Sequence, residues 1–170
     1  MAMLELLGPG RMRVLPSGID VIDDGSEPVE RPSVGELHGT ETILVVEDEP
    51  MMREVLGAAL HGFGYTVVPA GDGEEAIDAA AKYGGPIHLV LADVVMPRVD
   101  GATLVSELRR WYPGIGILLM SGMYHGATVA LELRDDRAFF IRKPFTINAL
   151  AVAVRSAIDD RPHGAFRDPG

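Results

Sequence analysis

The 170-residue chain has no cysteine. Disulfides, thiolate metal sites and cysteine nucleophiles are therefore excluded, and the absence suits a reducing compartment. Basic residues are few and scattered, with 15 Lys+Arg against 25 Asp+Glu and a net charge of −10. No Lys/Arg cluster exists to follow a phosphate backbone, so direct nucleic-acid binding is not expected, and a cation or a basic partner surface suits the chain better. Long apolar runs are missing as well: none approaches the ~18 residues that a membrane span needs. The N-terminal stretch Met1-Ala2-Met3-Leu4-Glu5-Leu6-Leu7 has no basic start and breaks at Gly8-Pro9, unlike a secretory signal. A cytoplasmic protein without membrane attachment is expected. Internal repeats are absent too, and 47% hydrophobic content over this length allows one good core rather than two.

Residues 1–38 contain Pro9, Pro16, Pro28 and Pro32 and show no sustained helix or strand period. They are expected to form a disordered or loosely attached tail. The short Met12–Leu15 and Ile19–Ile22 stretches leave room for an extra hairpin or the remains of a preceding domain. From Glu41 onward, short apolar runs alternate with longer amphipathic stretches, the pattern of βαβ units and a parallel sheet. Strands are expected at 42–46, 65–68, 87–92, 115–120 and 138–141. A first helix starts at Pro50 and carries Met52, Val55, Leu56, Ala59, Leu60 and Phe63 on one face, stopped by Gly62 and Gly64. Asp72 caps a second helix with Glu75 in its third position, Asp100 caps a third, and Thr146 caps a fifth with Ile147, Leu150, Val154 and Ile158 on one face. A fourth helix is expected at about 124–134, interrupted by Gly126 and Thr128, and 161–170 reads as a frayed tail. The domain boundaries expected are thus 39–160, flanked by the two tails.

Three of the strand-like runs end in charge: Ile43–Val46 leads into Glu47-Asp48-Glu49, Leu89–Ala92 into Asp93, and Phe139–Arg142 into Lys143-Pro144. Right-handed crossovers make 2-1-3-4-5 the expected strand order, with the first and third strands meeting at the switch point where such sheets bind ligands. Glu47, Asp48 and Asp93 then face one another. Three carboxylates in one crevice repel, and Mg²⁺ is a fitting relief because it prefers oxygen and also binds phosphate oxygens. An accessible Asp93 beside such an ion can act as a nucleophile towards a phosphoryl group. Lys143 brings a positive charge for phosphate oxygens and Ser121 a hydroxyl donor, while Gly122 leaves room. Taken singly, each has a plainer reading, the acids as helix caps and Lys-Pro and Ser-Gly as turns; their joint placement at strand ends is what argues for function. His61 and His88 read as surface or packing residues, and His38, His125 and His163 lack ligand spacing.

With these motifs in order, the chain resembles the receiver domain of bacterial two-component response regulators over about residues 41–160. The resemblance runs through Ile43–Pro50, Gly64–Val67, Asp72–Ala76, Asp93–Gly101, Leu119–Gly122 and Lys143–Phe145, and its wording is closest to receivers fused behind hybrid histidine kinases. It implies a doubly wound, flavodoxin-like α/β fold with Asp93 as phosphoacceptor. Mg²⁺ is then held by Glu47, Asp48, Asp93 and the Val95 backbone carbonyl, and Lys143 contacts the phosphoryl group. Ser121 and Phe140 match a switch hydroxyl and a switch aromatic that reshape the face formed by the fourth helix, fifth strand and fifth helix. The Lys143-Pro144 bond is often cis in such domains. Expected partners are a histidine kinase or a histidine phosphotransfer protein, with a second copy of the chain through that face as a further candidate. The chain is expected to act as a single-domain phosphoacceptor without a DNA-binding output, and not as an enzyme on a separate substrate. Two departures stand out: Glu47 replaces the commoner aspartate, and Arg98 stands where glycine is frequent.

Competing readings are a pseudo-receiver that binds a partner without phosphorylation, a flavodoxin-like FMN binder and an aspartyl phosphatase. The intact Glu47, Asp48, Asp93, Ser121 and Lys143 set counts against the first. Glu47-Asp48-Glu49 after strand one would repel a flavin phosphate, and a phosphatase would more naturally carry its nucleophile on strand one.

Overall fold

The computed structural model describes residues 13–15, 37–95, 101–122 and 138–160. In chain order these form β1 (Arg13–Leu15), β2 (Thr42–Val46), α1 (Pro50–Gly62), β3 (Thr66–Ala70), α2 (Gly73–Tyr83), β4 (Leu89–Asp93), α3 (Gly101–Trp111), β5 (Gly116–Ser121), β6 (Phe139–Arg142) and α4 (Ile147–Asp159). The helix expected at about 124–134, Arg98 and the Asp100 cap lie outside the described residues.

All pairings are parallel, in the order β1-β6-β5-β4-β2-β3. The five expected strands therefore stand as 2-1-3-4-5, and β1 adds a sixth at the β6 edge. That strand falls within the stretch expected to be a loose tail. Three residues between Gly10 and Pro16 are too few to show a period in sequence, and what places them is tertiary pairing. Strand limits move by one or two residues from expectation, so that Asp93 and Ser121 close β4 and β5 instead of following them.

The central strands β2, β4 and β5 are buried on both faces, and the alternation of strand side chains divides the core into two layers. Leu44, Val46, Val90, Ala92, Ile117, Leu119 and Phe140 pack with α2 and α3 residues such as Ala76, Ala80, Leu104 and Leu108. Ile43, Val45, Leu89, Leu91, Leu118, Met120 and Ile141 pack with Leu56 and Leu60 of α1 and Leu150, Val154 and Ile158 of α4. Near-continuous apolar runs in β2, β4 and β5 are what a strand covered on both sides requires.

Local chemistry sets the helix starts. The Asp72 carboxylate accepts from the Glu75 N–H at 2.9 Å, and Glu75 reaches back to accept from the Gly71 N–H at 2.6 Å, a capping box displaced by one residue. The Thr146 hydroxyl oxygen accepts from the Ala149 N–H at 3.1 Å. Gly64, at φ 90°, turns the chain out of α1 against the Gly39 carbonyl, a conformation that disfavours any side chain. The segment before β2 is strapped to this turn. The Gly39 N–H donates to the Phe63 carbonyl at 3.0 Å, the buried Tyr65 hydroxyl to the Leu37 carbonyl at 3.0 Å, and Arg155 of α4 to Glu41 at 3.0 Å and Asp159 at 2.7 Å.

Candidate functional site

The parallel arrangement sends β2, β4, β5 and β6 to the same pole, and the residues that follow are held there by the neighbouring strand. The Glu47 N–H donates to the Ala70 carbonyl at 3.1 Å, Val94 N–H to Met120 at 2.9 Å and Lys143 N–H to Ser121 at 2.8 Å. Three charged side chains meet between them. The Lys143 ammonium donates to Glu47 Oε2 at 2.8 Å and to Asp93 Oδ2 at 2.5 Å. It thereby joins groups 96 and 50 residues apart in sequence. The Lys143–Pro144 peptide bond is cis.

The second oxygen of each acid has its own donor. Asp93 Oδ1 accepts from the Val95 N–H at 2.8 Å, and Glu47 Oε1 receives a longer contact from the Glu49 N–H at 3.4 Å. The Glu47 side chain is 3% exposed, Asp93 15% and Lys143 23%, so Asp93 is the acid that an incoming group can reach. Burial pushes the Glu47 carboxyl above the ordinary range, although Lys143 beside it and the Glu49 N–H pull downward. Burial alone would depress Lys143, but its hydrogen bonds to Asp93 and Glu47 more than offset this and its pKa is raised. The two partners of one ion pair thus both shift upward, because Glu47 is too deeply covered for one shared ammonium to satisfy it.

Asp48, next in the chain to Glu47, is exposed, and Val95, whose N–H donates to Asp93, is 54% exposed. Ser121 is buried at the end of β5, joined to Lys143 through its own carbonyl, and Phe140 is buried in the α2/α3 layer. The structure brings Glu47, Asp93 and Lys143 into direct contact, links Ser121 and Val95 to them through backbone hydrogen bonds, and shows no such link for Asp48 among the described residues. Among the described residues no three acids or histidines form a ready cation cage, since Lys143 sits between Glu47 and Asp93. The donors nevertheless suit a hard divalent ion. All are oxygens, the donor type that such an ion takes.

Arg53 of α1, which sequence reasoning did not single out, donates to the Glu47 carbonyl at 2.6 Å and so fixes the backbone of the acidic turn. His88 accepts the Thr42 N–H on Nδ1 at 2.9 Å, and His61 Nδ1 lies 2.8 Å from the Gly57 carbonyl. Both histidines serve local structure away from the crevice.

A doubly wound sheet with acids and one lysine gathered at its switch point defines a signalling domain of the receiver class. Residues 43–155 match the response regulator receiver domain, and the chain belongs to that family, a module of two-component signalling. It is 40% identical over 125 residues to sensor kinase CckA of Brucella abortus, covering 73% of this chain and 13% of that protein. It is 43% identical over 119 residues to the transcriptional regulatory protein AruR of Pseudomonas aeruginosa, covering 68% of this chain and 48% of that protein. The crystal structure of the receiver domain from hybrid histidine kinase CckA is 33% identical, with a TM-score of 0.57, covering 69% of this chain and 98% of that one. The chain thus spans half or less of these curated full-length relatives.

Proposed function

We propose that this domain accepts a phosphoryl group on Asp93 from a phosphohistidine of a histidine kinase or histidine phosphotransfer protein, and that the phosphorylated domain passes the signal through the face that includes β6. The observation that carries the reading is the Lys143 ammonium held between Asp93 and Glu47 at the switch point. A carboxylate oxygen of Asp93 bonds to phosphorus as the donor's nitrogen–phosphorus bond breaks, leaving an acyl phosphate and a neutral imidazole. Lys143 then turns from the Asp93 carboxylate to the new phosphate oxygens, exchanging one charge-assisted contact for another. Ser121, one strand further along, can supply its hydroxyl to a phosphoryl oxygen, and Phe140 on β6 responds to that movement. Glu47, Asp48, Asp93 and the Val95 carbonyl are the groups that would hold Mg²⁺. The ion supplies positive charge against the repulsion between an incoming phosphoryl group and the acidic turn. Arg53 keeps the Glu47 backbone in place.

Incubation with acetyl phosphate and Mg²⁺ followed by intact-mass measurement tests the assignment. The parent should gain one phosphoryl group and Asp93→Asn none. A phosphorylated Asp93→Asn protein would remove Asp93 from the role, and an unmodified parent, tested also with a phosphorylated histidine donor, would leave an interaction module.

A further inference from the structure

Without Arg13–Leu15, β6 would be the last strand of the sheet. These residues pair parallel with it in unbroken register, Arg13 with Phe139, Val14 with Phe140 and Leu15 with Ile141, and half-buried Leu15 packs against the α1/α4 layer. The covered strand is the one that carries Phe140 and leads into Lys143. A bare edge of this kind, apolar over Phe139-Phe140-Ile141, presents unpaired N–H and C=O groups that template pairing with another chain. The same edge on a second copy satisfies that need through a two-fold axis.

Three ladder positions are too few to hold a free peptide in water. The segment is not free, because the chain is pinned again at Leu37 by the Tyr65 hydroxyl and at Glu41 by Arg155. Strand and pinned segment belong to one chain, so their pairing is intramolecular and escapes the association cost that a free peptide meets. A weak pairing is therefore populated in cis.

We propose that Arg13–Leu15 is a built-in cover of the β6 edge, occupying the place where a second copy of this chain would pair. The proposal rests on the functional reading above only in taking β6 as part of the signalling face.

The test uses the full chain and two variants. Leu15→Pro removes the backbone donor that faces β6, and Leu15→Asp sets a charge against the apolar layer. Hydrogen exchange at the Phe140 and Arg142 amides, which face β1, read at a concentration where the chain is monomeric, should quicken about tenfold in both variants, with the Leu89–Ala92 amides unchanged as an internal reference for folding. Self-association by sedimentation should tighten by a similar, about tenfold, factor as the edge is released. Unchanged β6 exchange in both variants overturns the cover, and faster exchange with unchanged self-association overturns the second copy as its competitor. If the parent fails to take phosphate on Asp93, the receiver chemistry fails while both of these readouts stand.

Discussion

At the scale of single residues, Lys143 holds together two acids that would otherwise repel. Its folded-state pKa lies above the ordinary value of 10.5, so its stabilisation is present below that value and is lost as pH rises through the raised one. Glu47 acts in the same sense over a lower pH range. Its folded-state pKa lies above 4.5, the folded state binds the proton more tightly, and stability declines as pH rises from 4.5 through the raised value. Lys143→Met removes the counter-charge and lifts Glu47 further. The variant should lose about 1–3 kcal/mol near neutral pH and much less near pH 4.5. Urea unfolding across that range checks this, and a loss independent of pH would refute it. Lys143, Asp93 and Glu47 were legible in sequence because each closes an apolar run, and parallel strands turn such closings into neighbours. Arg53 was not, since its bond to a backbone carbonyl constrains no partner side chain and leaves no pattern to read.

At the scale of elements, one close approach sets how α4 lies on the sheet. A methyl group at Gly116 would stand 2.8 Å from the Ala157 carbonyl, so helix and strand touch backbone to backbone. Gly116→Ala should cost about 1–3 kcal/mol through forced displacement of α4. Gly62→Ala, at the end of α1 with nothing within 4 Å, should be neutral or stabilising by about 0.5–1 kcal/mol. Equal effects in denaturant titrations would show that α4 is free to shift. The helices with side-chain caps, α2 and α4, were legible because Asp72 and Thr146 stand three residues before the N–H groups they accept from. β1 was not, because its pairing is with residues more than a hundred positions away.

At the scale of the whole molecule, the 2-1-3-4-5 order followed from alternation, crossover handedness and chain length, while the sixth strand depended on a contact that no local rule contains. The crevice formed at one pole carries three carboxylates against one ammonium. Added Mg²⁺ should therefore stabilise the entire fold by mass action, by about 1.4 kcal/mol at ten times its dissociation constant. Asp48→Ala should weaken this effect without unfolding the domain, because Asp48 is exposed and lies outside the Lys143 bridge. Melting curves across a Mg²⁺ titration check it, and identical shifts in parent and variant would exclude Asp48 as a ligand. The Arg155 strap lies at the opposite pole, where Glu41 leads into β2 and α4 ends beside Asp159. The described chain therefore enters at Leu37 and leaves at Asp160 on the pole opposite Asp93, so the crevice is built at one end of the sheet while its segment boundaries are braced at the other.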